Sequence, residues 1–168
     1  MKKTGIIFGS STGTCQGIAE KIADKLGVDK ADVIDVQNIS SEVLSQYDNL
    51  LLGTSTWGAG ELQDDWFNGV DVVRKSNLSG KTVALFGCGD SESYCDTFCG
   101  ALAELKKAAV EAGATVVGAV STEGYNFQES DAVENGSFVG LALDEINEDS
   151  LTDVRIDAWL EDVKPSLG

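Results

Sequence analysis

The stretch Phe8-Gly9-Ser10-Ser11-Thr12-Gly13-Thr14-Cys15 joins an apolar run (Ile6, Ile7, Phe8) to a helical pattern (Ile18, Ala19, Ile22, Leu26). A strand that ends in small hydroxyl residues and opens a helix is a cradle for an anion. The helix N-terminus leaves backbone N–H groups unpaired at the positive end of the dipole, and Ser and Thr hydroxyls add donors without bulk. No Lys or Arg lies between Lys3 and Lys21, so the turn must neutralise its guest with N–H and O–H donors alone. The Lys of a triphosphate loop is missing, and Ser10 and Ser11 follow Gly9 where the second glycine of a dinucleotide fingerprint would let a pyrophosphate approach the backbone. The expected guest is a monophosphate. Taken alone, the turn also reads as a Ser/Thr cap on an ordinary first helix.

Outward from this turn, apolar runs of strand length recur at Thr4 to Gly9, Ala31 to Val36, Asn49 to Thr54, Lys81 to Gly87 and Thr115 to Val120. Runs apolar on both faces suit strands buried in a parallel sheet. Helical patterns lie between them at Gly13 to Leu26, Asp64 to Arg74 and Thr97 to Ala112. A last one runs from Leu151 to Val163, with Asp149 or Ser150 as candidate cap and Pro165 as stop. The alternation predicts an α/β fold: an open, doubly wound, five-stranded parallel sheet in the order 2-1-3-4-5, with helices on both faces. The polar, glycine-bearing segment from Ser121 to Asn147 is too long for a plain connection and reads as an insertion in the last strand.

In such sheets ligands bind beyond the carboxyl ends of the strands. Three loops should converge there: Gly9 to Cys15, Ser55 to Gln63 and Cys88 to Tyr94. The second carries Trp57 among small residues, and the third carries Tyr94. Each aromatic alone reads as a loop anchor. Together, beside a phosphate cradle, they can sandwich a planar ring, each stacking contact contributing about 1 kcal/mol beyond its buried area.

The chain has 168 residues, 42% of them hydrophobic, which suits one domain over 1–168. With 28 acidic and 12 basic residues the net charge is -16. That charge argues against nucleic-acid and anionic-membrane partners and for soluble partners with basic faces. No segment has the length and apolarity of a membrane span or a secretory signal. Cys15, Cys88, Cys95 and Cys99 have neither disulfide-framework nor metal-site spacing, and there is no histidine. A cytoplasmic location is the expectation. With no His and no Ser-base pairing, hydrolysis has no machinery, and no residue is assigned as catalytic.

Four motifs resemble the flavodoxin family, in its long-chain branch: GSSTGTC (9–15), TSTWGAGELQDDW (54–66), FGCGDSESYCDTFCGAL (86–102) and STEGYNFQESDAVENGSFVGLALDEINEDSLTDVRI (121–156). The resemblance runs along essentially the whole chain. It implies a flavodoxin-like fold whose insertion splits the fifth strand. It also implies non-covalent FMN, with the phosphate held by Ser10, Ser11, Thr12, Gly13, Thr14 and Cys15 and helped by Ser55 and Thr56. Trp57 would cover one flavin face and Tyr94 the other, with Cys88, Gly89 and Asp90 at the ring. Gly58, followed by Ala59 and Gly60, would let the peptide after Trp57 turn over on one-electron reduction, because glycine visits positive φ cheaply. Cys15 departs from the family's hydroxyl at that position; a thiol is a weaker donor, so reduced FMN affinity is expected.

The function implied is that of a monomeric, low-potential one-electron carrier between a reductase and acceptor proteins. Glu61, Asp64, Asp65, Asp90, Glu92 and Asp96 would oppose further negative charge at the flavin and steer basic partners. Two other readings remain open at this point. One is an FMN-dependent NAD(P)H quinone or azo reductase of the same fold, which needs an open ring face. The other is a non-redox phosphate-binding module.

Overall fold

Strand β1 (Thr4–Gly9) is buried along its whole length and pairs in parallel with β2 (Val33–Asp35) on one side and β3 (Asn49–Trp57) on the other. The computed structural model of the chain describes residues 1–57 and 60–168, with Trp57 described through its backbone. A short strand β4 (Glu61–Leu62) folds back antiparallel on the end of β3, placing Thr56 opposite Leu62. β5 (Thr82–Cys88) continues the parallel sheet, with Leu52 opposite Leu85 and Ser55 opposite Cys88. Beyond it the edge position is filled twice. β6 (Thr115–Val117) pairs with Thr82–Ala84. After β7 (Val120–Ser121), β8 (Val133–Glu134) and β9 (Ser137–Phe138) have formed a separate antiparallel sheet, β10 (Leu141–Leu143) pairs with Phe86–Cys88.

The strand order is therefore the expected 2-1-3-4-5 once β4 is set aside and β6 with β10 are counted as one divided fifth strand. The period-2 alternation sorts the side chains onto two faces. Ile7, Leu50, Leu52, Val83 and Leu85 face α2 (Ser41–Ser45), α3 (Asp64–Lys75) and α4 (Ala101–Glu111). Ile6, Phe8, Leu51, Ala84 and Phe86 face α1 (Thr14–Leu26) and α5 (Thr152–Val163). Each helix adds an apolar stripe at i, i+3, i+4 spacing, such as Ile156, Trp159, Leu160 and Val163 on α5.

Several boundaries differ from the sequence expectation, each for a local reason. β2 spans three residues rather than Ala31 to Val36, because Asp29 and Asp35 accept the N–H groups of Ala31 and Gln37 and turn the chain into a 3-10 turn on either side. β3 runs three residues beyond Thr54 because β4 supplies it with a partner. α4 starts at Ala101, not Thr97: Cys99 has φ 51, and the N–H of Ala101 is received by Thr56 Oγ1 at 3.3 Å. α5 starts at Thr152 after a 3-10 turn, and neither Asp149 nor Ser150 caps it.

The fifth strand stops at Val117, short of Val120. Gly118 takes φ 87, a left-handed conformation that costs glycine little, and its carbonyl accepts Trp159 Nε1–H at 2.9 Å. The excursion thus runs over residues 118–140, earlier than Ser121 to Asn147. It packs on the segment before α4: the rings of Tyr125, Phe127 and Phe138 gather around Phe98, and Gln128 N–H donates to Cys95 O at 2.7 Å.

Candidate functional site

The three loops at the carboxyl ends of β1, β3 and β5 meet through side chains. Gln63 Nε2 donates to Ser11 Oγ at 3.1 Å, linking the first loop to the second. Gly60 lies against Thr97 and Gly100, linking the second to the third. Beneath the junction Trp66, fully buried, donates its Nε1–H to Gly53 O at 2.7 Å. The loops 9–15, 55–63 and 88–97 carry no Lys or Arg.

In the first loop Ser10 Oγ accepts the N–H of Gly13 at 3.0 Å, which leaves its own proton to donate. Ser11, Thr12 and Thr14 are exposed, and the Thr12 and Thr14 hydroxyls stand 3.3 Å apart. The residue at the helix cap is Gly13, with φ 89, and no side chain caps α1, so the ordinary Ser/Thr-cap reading does not hold. Of the five described α-helices only α1 has neither a side-chain cap nor an acid in its first turn. Its first N–H groups and four flanking hydroxyls form a donor set without competing charge, which suits a phosphate monoester.

Cys15 is placed differently from the expectation of a thiol donor in that cradle. Its side chain is fully buried among Ile6, Ile18 and Ala19, hydrogen-bonded with Cys88. Cys15 therefore offers its backbone N–H, and its thiol belongs to the core. The hydrogen bond with Cys15, followed by burial, pushes the Cys88 thiol well above its ordinary pKa. Burial likewise pushes up Cys99, which donates to Leu143 O. Thiols held protonated in this way are poor nucleophiles. Cys95 and Cys99 precede α4 in a run of turns.

In the second loop Ser55 and Thr56 are half-buried, and Gly60 has φ 88. Trp57 ends β3; the reading of its side chain as a ring cover, and those made for Gly58 and Ala59, lie outside the described residues. In the third loop the N–H of Gly89 is committed to Leu143 O at 2.9 Å. Asp90 folds back on its own loop: Oδ1 accepts from Glu92 N–H, Ser93 N–H and Asn147 Nδ2. Those bonds hold its carboxyl below the ordinary aspartate value of 3.8. Tyr94 is 44% exposed.

Three contributors escape sequence reasoning. Gln63 caps α3 through Asp65 N–H and braces Ser11. Hydrogen bonds from Gln37 and then Gln63 keep Asp65 below its ordinary value. Asp144 and Asn147, just after β10, bind the loop of Asp90. The available signals are slight: a Gln directly before an Asp-Asp helix start, and an Asp ending the apolar run 141–143 at a strand's carboxyl end.

The carboxyls of Asp65, Asp90 and Asp144 all lie below 3.8 when folded. For Asp144 burial works the other way, and the bonds from Ser91 and Asn147 outweigh it. A depressed carboxylate contributes stability that is present above the unfolded value and lost as pH falls through the folded one. The unfolding temperature should thus be flat above about pH 5 and fall steeply below about pH 4, as followed by circular dichroism.

A family model described as Flavodoxin matches residues 6–159. Flavodoxin 1 of Escherichia coli (strain K12) is 44% identical over 168 residues, covering 99% of this chain and 96% of its own. The flavodoxin of Synechocystis sp. is 41% identical, with 99% of each chain covered. The crystal structure of Fusobacterium nucleatum flavodoxin bound to flavin mononucleotide superposes with a TM-score of 0.90 at 36% identity, covering all of both chains.

Proposed function

The chain belongs to the flavodoxin family, and from that membership we propose how its own residues serve an FMN-based electron carrier. It is an electron-transfer protein and not an enzyme with a substrate of its own. FMN, when bound, supplies a ring that takes one or two electrons; the protein contributes its binding and surroundings.

The observation that carries the assignment of residues is the bare N-terminus of α1. Ser10, Ser11, Thr12 and Thr14 donate hydroxyls to the FMN phosphate, and Gly13, Thr14 and Cys15 turn their N–H groups to it, with Ser55 and Thr56 beside them. Trp57 and Tyr94 cover the two ring faces. Gly58, Ala59 and Gly60 belong with Trp57 to the set that meets the ring, and Cys88, Gly89 and Asp90 shape the ring pocket. The whole of 1–168 acts as one FMN-binding unit, a cytoplasmic monomer; no described helix is long and apolar enough to cross a membrane.

Glu61, Asp64, Glu92 and Asp96 are exposed, and none of the ion pairs among the described residues engages them. They disfavour added electrons on the bound ring, which keeps its potential low. They also steer basic-faced partners, a reductase and low-potential acceptors.

Two measurements test this reading. Anaerobic reductive titration of the FMN-loaded protein should resolve two one-electron steps; a single two-electron step would overturn the carrier assignment. The second-order rate with a basic reductase should fall about tenfold or more between roughly 10 and 300 mM salt. A rate indifferent to salt would remove the steering role.

A further inference from the structure

Asp144 follows β10 directly and is fully buried. No ion pair among the described residues engages it, so its charge is met by hydrogen-bond donors. Its oxygens are divided between two tasks. Oδ1 accepts Ile146 N–H at 3.1 Å and Asn147 N–H at 2.9 Å, closing its own turn. Oδ2 reaches across to the neighbouring loop, accepting Ser91 N–H at 3.0 Å and the Ser91 hydroxyl. Asn147 Nδ2 then bridges the two loops, donating to Asp144 Oδ2 at 2.9 Å and to Asp90 Oδ1 at 2.8 Å.

Asp90 in turn holds the N–H groups of Glu92 and Ser93 on its carboxylate and that of Tyr94 on its carbonyl. One buried carboxylate thereby anchors a continuous hydrogen-bonded path that ends at Tyr94. A turn at residues 144–147 needs only Oδ1. The second oxygen, spent on Ser91, is the part that local turn formation does not explain. A buried charge without a cation is retained only where donors converge on it, and here the converging donors belong to the loop that carries Asp90 and Tyr94.

We propose that Asp144 and Asn147 are positioning residues that fix the loop of residues 89–94 before a ligand arrives, and so set the chain's grip on the isoalloxazine ring while leaving its grip on the phosphate untouched. This rests on the assignment of Gly89, Asp90 and Tyr94 to the ring and of 10–15 to the phosphate. Preorganisation raises affinity by removing the ordering cost at binding. Hydrogen bonds to a charged group, when lost, change an equilibrium about tenfold to a hundredfold.

The test compares the wild type with Asp144→Asn and Asn147→Ala in two measurements. In the flavin-free chain, amide hydrogen exchange at Ser91, Ser93 and Tyr94 should quicken at least about tenfold in both variants, with β1 and α1 unchanged. In titrations, affinity for FMN and for riboflavin should fall by the same factor, about tenfold to a hundredfold, and that for inorganic phosphate should stay put. Should Asp144→Asn fail to fold, Asn147→Ala carries both readouts with the buried carboxylate in place.

Loop amides that exchange as in the wild type would overturn the proposal, as would flavin affinities that do not move. So would a loss shared equally by phosphate, the mark of general weakening. A wild type that takes up no FMN would overturn the underlying assignment instead, and the exchange data, which need no flavin, tell the two failures apart.

Discussion

Replacing Thr14 with glutamate is expected to stabilise the flavin-free chain and to cut its affinity for FMN by more than about a hundredfold. The two effects have one cause. Thr14 opens α1, the one described α-helix with neither a side-chain cap nor an acid in its first turn. A carboxylate there meets the positive end of the dipole and is worth about 0.3–1 kcal/mol. The same carboxylate then stands where a phosphate monoester should sit. Two unit charges about 4 Å apart near a protein surface repel by about 4 kcal/mol before salt screening, and a loss of about 3 kcal/mol is already a hundredfold. Riboflavin, which lacks the phosphate, should bind the variant as it binds the wild type. Thr14→Gln, neutral and of similar length, should leave both ligands within a few-fold. Calorimetric unfolding with and without each ligand reads all of this, and a Thr14→Glu variant that keeps its FMN would dismiss the cradle.

Gly9→Ala should be the costliest single-methyl change in the site, at about 2–4 kcal/mol. A Cβ at this position would lie 2.5 Å from Trp66 Cδ1 and 2.6 Å from Gln63 Oε1. The amide can swing aside, but the indole is fully buried and tied through Nε1 to Gly53 O. Overpacking costs about 1–3 kcal/mol, and displacing the indole adds a broken hydrogen bond of about 1 kcal/mol. Gln63 also holds Ser11 and caps α3, so FMN affinity should fall with stability. Gly13→Ala makes the contrast. Nothing stands near its added methyl, and the penalty is the roughly 1–2 kcal/mol of a left-handed residue. Denaturant titration of the two variants would order them, and a Gly9→Ala as stable as Gly13→Ala would mean that the ring yields.

What the sequence discloses follows from how local each determinant is. β1 can be read to the residue because both of its faces are apolar and Gly-Ser-Ser ends it. The order of the sheet is legible because right-handed crossovers leave few alternatives. β2 is over-read because Asp29 and Asp35 compete for the backbone in a way that apolar periodicity does not register. The placement of Cys15 was legible but masked by its neighbours. With Ile18, Ala19 and Ile22 it makes the i, i+3, i+4, i+7 stripe of the core face, which sends its thiol inward even as its N–H stays in the loop. Asp144 and Gln63 were not legible, since their partners Ser91 and Ser11 lie 53 and 52 residues away. No window along the chain contains both ends of such a bond.

The divided fifth strand has a bearing on the order in which the chain assembles. β6 reaches its place beside Thr82–Ala84 soon after α4 is made, whereas β10 can join Phe86–Cys88 only once the whole excursion has been threaded and closed. Closing the longer loop costs more entropy and is compensated only by contacts formed at the end. The lower half of the sheet edge is thus expected to be laid down before the upper half. The upper half is the one that receives Gly89 and seats Asp144. Of the two halves of the binding end, the loop of Gly89 and Asp90 is therefore expected to order after the phosphate turn that follows β1.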